Sequence, residues 1–195
     1  MFVRRFEDQQ VVPWRNGGGF TREIAVHVAA DDPSRILWRV SAATVAAAGP
    51  FSMFEGIDRT LAVLEGNGLV LVTGTDRVTL TTDSAPYAFD GETDIHAHNV
   101  EGPTLDLNVM TMRGHFVHAI KRIRSDGPVT VTGQQDVTLL FFRGETEISA
   151  AGTDTTVHKG DALLDIARGD VVRLSAKAEV DAYLIEIAQA PALTL

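Results

Sequence analysis

The sequence predicts an all-β protein built from two similar modules, and three observations carry that expectation. Short runs rich in Val, Ile, Leu, Thr and Phe recur along the 195 residues, separated by Gly, Pro, Asn and Asp at the close spacing of a sandwich or barrel. No long apolar stretch has helical periodicity; Ser34-Arg35 and Ala42 to Ala48 are the best short helical candidates. Finally, the chain matches itself when its first half is laid on its second. Gly49-Pro50 falls on Gly127-Pro128, Thr60-Leu61 on Thr138-Leu139, Gly66 on Gly144, Gly74-Thr75-Asp76 on Gly152-Thr153-Asp154, and Gly91 on Gly169. The stretch 49–91 gives 11 identities in this register, where ordinary composition gives about three. Turn residues dominate the matches, so what repeats is the punctuation between strands. Gly66 and Gly144 are expected to close equivalent strands, with no insertion between the matched glycines.

The expected strands run, in order, over Phe20 to Val28, Leu37 to Val45, Thr60 to Leu64, Leu69 to Thr73, Val78 to Thr81 and Leu105 to Thr111. In the second half they run over Val129 to Thr132, Val137 to Phe142, Val171 to Leu174 and Ala182 to Ile187. Within Leu105 to Met110 apolar and polar residues alternate strictly. A half-buried strand gives that pattern, with Asp106, Asn108 and Met110 directed away from the apolar face. No low-complexity linker interrupts the chain. Residues 1–114 are expected to form one barrel, carrying a ligand pocket, and 115–195 a second, structural one.

Charge and composition exclude several classes. The net charge is −9 and the basic residues are scattered, so a nucleic-acid footprint is not expected. The one basic run, Lys121 to Arg124, alternates with isoleucines and reads as the solvated face of a strand. Without cysteine there is no disulfide framework, thiolate metal site or cysteine nucleophile. No segment is apolar for long enough to span a membrane, and the amino-terminal residues lack a signal-peptide pattern, so the expectation is a cytoplasmic protein without membrane partners.

Two segments of the first half are rich in chemistry. Trp14 to Ile24 holds three consecutive glycines, which permit close backbone approach and read as a tight turn into a strand. They form no phosphate-binding loop, since no Gly-Lys-Ser/Thr follows. Gly49 to Gly68 reads as turn, strand and hairpin. This segment resembles the first motif of the cupin superfamily, small double-stranded β-helix barrels, in which two His and a Glu precede the strand end and a third His follows later. Here those positions carry Ser52, Phe54, Arg59 and Asp94, and their equivalents in the second copy of the repeat are Thr130, Thr132, Val137 and Val172. Neither set suits a divalent metal, so no cofactor is expected. His96 and His98 share a strand face and could chelate, but they lack a third partner at a suitable spacing and read as rim residues.

The whole chain resembles the HutD/Ves family. The resemblance rests on Trp14 to Gly19, Thr21-Arg22-Glu23-Ile24, Trp38-Arg39-Val40-Ser41, Phe51-Ser52-Met53-Phe54 with Gly56 and Arg59, and Asp106 to Thr111. It implies a bicupin, two tandem jelly-roll barrels in one chain, lacking the usual cupin metal and associated in some bacteria with histidine utilisation. It implies no established catalytic activity.

Arg59 replaces a metal-binding carboxylate, and an arginine at a barrel mouth can grip a carboxylate in two-point fashion. A structural ion pair with Glu23, Asp58 or Asp106 is the other use of such a residue. The site expected from these residues comprises Trp14, Asn16, Thr21, Glu23, Trp38, Ser52, Phe54, Arg59, Asp106 and Asn108. Its ligand is expected to be a small anionic metabolite, with urocanate and formylglutamate as candidates, bound by a regulatory protein. A metal-independent isomerase or epimerase using Glu23, Asp106 and a histidine, and a structural interaction protein, are the alternatives. Cupins often pair through strand edges, so a homodimer is among the expectations.

Overall fold

The computed structural model describes residues 1–14 and 18–191. The chain opens with the strand Phe2–Arg4 (β1) and a single 3-10 turn, Phe6–Asp8. Next come Gln10–Pro13 (β2), Gly19–Val28 (β3), Ile36–Val45 (β4), Gly49–Pro50 (β5), Ile57–Glu65 (β6), Leu69–Thr73 (β7), Asp76–Leu80 (β8), Tyr87–Asp90 (β9), His96–Asn99 (β10) and Thr104–Met112 (β11). The second half supplies Phe116–Ser125 (β12), Val129–Thr132 (β13), Val137–Phe142 (β14), Thr146–Ala150 (β15), Thr153–Val157 (β16), Ala162–Leu164 (β17), Val171–Ser175 (β18) and Val180–Gln189 (β19). All ten expected strands form. The expected helical stretch from Ala42 does not: Ala42 to Val45 continue β4, where pairing with β3 and β11 overrides the helical preference of alanine.

The strands form two units. One comprises Gln10–Val117 with Ala190; the other joins Met1–Gln9 to His118–Gln189. The amino-terminal segment therefore belongs with the later unit, unlike a single cut at 114/115. There β1 pairs with β17, Arg5 Nη1 donates to Asp161 Oδ2 at 2.7 Å, and Gln9 Nε2 donates to the Gly160 carbonyl at 2.7 Å.

The same sheet plan occurs in both units. Gln10–Val117 has one sheet in the order β2-β3-β4-β11-β6-β9 and another in the order β5-β10-β7-β8. The later unit has β12-β19-β14-β17, extended by β1, and β13-β18-β15-β16. The order β4-β11-β6-β9 corresponds to β12-β19-β14-β17 and β5-β10-β7-β8 to β13-β18-β15-β16, giving two antiparallel jelly rolls, with β2 and β3 as additions to the first. Each encloses its own apolar core, around Leu61, Val63, Leu69, Leu71 and Ile95 in the first and Leu140, Phe142, Ile148, Val172 and Leu174 in the second.

The residue register of the repeat differs from the one expected. Leu69 opposite Leu80 corresponds to Thr146 opposite Val157, where the identities would place Glu147 and His158. The hairpin turns are Gly74-Thr75 and Ala151-Gly152, so the matched Gly74 and Gly152 occupy different turn positions. Gly66 follows β6 directly with φ +90°, whereas Gly144 does not directly follow β14 and has no positive φ. The connection from β6 to β7 is as long as that from β14 to β15, which carries the hydrogen-bonded register back to the strands before them. Because side chains alternate along a strand, a slip of one exchanges the two faces. At the hairpins the hydrogen-bonded register and the identities therefore differ by one residue.

Candidate functional site

A cavity of about 440 Å³ opens in the first unit, a suitable size for a small metabolite. Its floor is the centre of the six-stranded sheet, where paired residues share a face. Across one row Arg39 of β4 and Arg59 of β6 stand on either side of Met110 of β11. The next row on that face holds Ser41, Asn108 and Leu61, and the one beyond it Ala43, Asp106 and Val63. Between Leu105 and Asp106 the β6–β11 register shifts, a bulge of the kind that re-aims side chains beside functional sites. The walls are Pro13, Trp14 and Thr21 on one side and Pro50 to Ser52 with Phe54 on the other.

Each wall is held by local chemistry. Trp14 Nε1 donates to Thr21 Oγ1 at 2.8 Å, and the Trp14 backbone N–H donates to the Gly19 carbonyl at 2.9 Å. A Cβ on Gly19 would collide with the Thr44 carbonyl and touch the Trp14 ring, so this glycine serves close approach rather than an unusual φ. The Phe51–Gly56 loop is fixed at Gly91, whose N–H donates to the Ile57 carbonyl while its carbonyl accepts from Phe54. Glu92 accepts from the Gly56 N–H at 2.6 Å and pairs with Arg113, which also binds Asp58. Those bonds, chiefly the one from Arg113, hold the Glu92 carboxyl down at about 2.

The polar groups of the floor are buried and incompletely satisfied. Arg59 is 6% exposed; its Nη1 donates to the Ser52 carbonyl at 3.1 Å and its Nε has no partner. The guanidinium lies 4.8 to 5.5 Å from the centres of the Phe89, Phe54 and Phe51 rings, within cation–π range. Arg39 also lies over Phe54, at 5.6 Å, its Nη2 contacts Met110 Sδ, and its Nε is also unpartnered. Burial pulls both guanidinium pKa values down, that of Arg59 to about 10. Asp106 is 1% exposed, and one oxygen has no hydrogen bond. Burial raises its carboxyl to about 7 even though Arg59 opposes the shift. Asn108 likewise leaves its side-chain oxygen unpartnered. Two acceptors and two donors, all without partners, thus meet at one cavity.

Of the expected site residues, Trp14, Thr21, Ser52, Phe54, Arg59, Asp106 and Asn108 line this cavity together. Glu23 lies opposite Ser41 and its charge partly offsets the burial of Arg39, but it is not part of the lining. Trp38 is not either: it lies next to Arg39 on the strand, on the opposite face, against the His27 ring at 5.7 Å. Asn16 lies outside the described residues. The expected half-burial of β11 is corrected too. Asp106, Asn108 and Met110 are as buried as Leu107 and Val109, because β11 is central in its sheet and its polar face floors a pocket. Sequence reasoning missed Arg39, Ser41 and Phe51. The alternation Arg39, Ser41, Ala43 within a strand was the signal for the first two.

The cupin fold ordinarily holds a metal between histidines and a carboxylate. Among the described residues, Asp106 is the one carboxylate in this lining, which it shares with the cations Arg39 and Arg59, so these residues do not fit a divalent cation. Among the described residues no three His, Asp or Glu side chains form a metal-binding group. His96 and His98 lie side by side, exposed on β10. No helix of the described residues is long and apolar enough to cross a membrane.

Comparison with known proteins gives concordant matches. A family model described as HutD matches residues 6–184. An uncharacterised 21.2 kDa protein in the hutC 3′ region of Pseudomonas putida is 32% identical over 157 residues, covering 77% of this chain and 78% of that one. Protein Ves of Citrobacter koseri is 40% identical over 102 residues, about half of either chain (51% and 52%). Among solved structures, HutD from Pseudomonas fluorescens SBW25 superposes with a TM-score of 0.82 at 26% identity, covering 97% of this chain and 99% of that one. A cupin 2 conserved barrel domain protein from Leptotrichia buccalis, 12% identical with a TM-score of 0.54 over 77% of this chain and 83% of its own, shares the fold.

Proposed function

The chain belongs to the HutD family, and on that premise we propose that its first barrel binds a small anionic metabolite in a regulatory role linked to histidine utilisation. The observation that carries this reading is the pair of arginines, Arg59 buried and Arg39 half-buried, in an open cavity. Two like charges with unpartnered Nε atoms, both within cation–π range of Phe54, repel one another and lack a full set of acceptors. A ligand carboxylate supplies both the acceptors and the opposing charge. The association of the family with this pathway, together with the relative in a hutC region, makes urocanate and formylglutamate the first ligands to test.

An isomerase or epimerase reading draws support from Asp106, a carboxylic acid near neutrality inside a cavity. It needs a second proton-transfer group. Glu23 is outside the lining, and among the described residues no histidine belongs to it, which favours binding over turnover. Thermal unfolding with each metabolite, followed by product analysis of the same mixtures, separates the two. Stabilisation without product supports binding, product formation supports catalysis, and no response to either metabolite removes both as ligands.

A further inference from the structure

We propose that the first-barrel pocket takes up its anionic ligand together with a proton, and that Asp106 holds the proton. The inference rests on the anion-binding reading above and adds a coupling to pH.

Asp106 comes from the middle of β11, with Ala43 and Val63 beside it on its row, so neither cross-strand neighbour offers a side-chain hydrogen bond. Its Oδ1 is unpartnered and the residue is buried at the cavity floor. Among the described residues, the charged groups that face it are Arg59 from β6 and Arg39 from β4, with Glu23 of β3 one row away. Pro13 and Trp14, and the Phe51, Ser52 and Phe54 wall, present only uncharged side chains. From the other sheet, β10 turns Ala97 inward, while His96 and His98 are exposed.

The Arg59 guanidinium is therefore the main influence that keeps Asp106 ionised against the cost of its burial. An anion seated on it cancels that influence and adds a repulsive charge of its own. Both effects favour the protonated carboxyl, which then becomes a donor to the ligand where the carboxylate could only accept. Coupling is reciprocal, so the protonated protein must bind the anion more tightly than the ionised one. With one proton taken up, affinity falls tenfold for each pH unit above the ligand-free midpoint, until the midpoint of the complex is reached.

N-Formylglutamate is the better probe, since its carboxylic acids titrate well below neutrality whereas the imidazole of urocanate titrates close to it. The protein is labelled with ¹³C at aspartate carboxyls, and Asp106 is assigned by the resonance missing from Asp106→Asn. Without ligand, its midpoint is expected near neutrality; a midpoint in the ordinary range near 4 overturns the coupling whatever the pocket binds. With N-formylglutamate bound, the midpoint should rise. The dissociation constant of wild type should weaken tenfold per pH unit above the free midpoint, and that of Asp106→Asn should stay level. Ligand binding with an unmoved midpoint and a pH-independent constant also overturns the coupling while leaving the anion site intact. If N-formylglutamate and urocanate both fail to bind wild type at any pH tested, the anion reading itself fails, and the coupling with it.

Discussion

Arg39 and Arg59 face one another across Met110, each on a strand next to it, and both lie over the ring of Phe54. The arrangement concentrates positive charge at the floor of a cavity in a protein whose net charge is −9. It stays folded because aromatic faces and the Ser52 carbonyl take up part of the charge, and because Asp106 is close enough to raise the Arg59 pKa against its burial.

Replacing Arg59 with Ala should abolish most ligand-induced stabilisation. A ligand at a hundred times its Kd adds about 2.7 kcal/mol to wild type by mass action, which raises Tm by roughly 5–10 °C for a chain of this size. Asp136→Ala, in the second unit, should leave that rise intact. A full response in Arg59→Ala moves the site elsewhere.

Trp14 and Trp38 should separate cleanly. Trp14→Ala removes a cavity wall and should cut the ligand-induced rise in Tm. Trp38→Ala removes the contact with His27 on the other face, so it should lower basal Tm and leave the ligand-induced rise unchanged. Equal losses of ligand response in both variants contradict the placement.

The raised carboxyl of Asp106 predicts a particular dependence of stability on pH. The group titrates near 4 in the unfolded chain and at about 7 in the folded one, so between those values the folded state binds more protons. Wild-type stability should therefore fall as pH rises through that window, by up to roughly 4 kcal/mol. Asp106→Asn lacks this group and should gain on wild type as pH rises from 5 to 8. Denaturant melts at both pH values check the sign; a constant difference between the proteins refutes it.

Glu92 has the opposite sign. Its folded carboxyl is held at about 2, chiefly by Arg113 and then by the Gly56 N–H, so its contribution is present above the unfolded value and is lost as pH falls toward 2. Glu92→Gln should speed hydrogen exchange at the Gly56 amide at neutral pH without unfolding the barrel. Unchanged exchange at Gly56 removes Glu92 as the anchor of the Phe51–Gly56 loop.

Gly91→Ala tests how that loop is held. A Cβ there would meet the carbonyls of Phe54 and Ile57, neither of which can rotate away. Stability should fall by roughly 1–3 kcal/mol. Gly127→Ala, where a Cβ meets nothing within 4 Å, should have little effect. Equal melting points for the two variants contradict the close packing at Gly91.

The architecture and most of the pocket were legible in the sequence, for different reasons. Strand periodicity and turn residues are local signals, and they identified ten strands that form. The others among the described residues are mostly short or at an edge, like Phe2–Arg4 and Gly49–Pro50, and only their partners specify them. Arg59, Asp106, Asn108, Ser52 and Phe54 stood out because polar residues in apolar strands, or motif positions without metal ligands, are chemically conspicuous. Arg39 did not, since a single arginine in a strand reads as surface until its neighbours bury it.

By itself the sequence determined that the chain is all-β, that its plan repeats, and that the first half holds an arginine where a metal-binding carboxylate is usual. Only the tertiary structure decided the register of the repeat, the face on which each side chain lies and the company Arg59 keeps. The identities laid Gly66 on Gly144, whereas hydrogen bonding lays Leu69 on Thr146, because glycines tolerate many turn positions while strand pairing tolerates one. Trp38 and Arg39 are neighbours in the chain and opposites in space. Whether Asp106 carries its proton near neutrality is decided by burial and by the Arg59 cation brought from another strand, and those are properties of the fold.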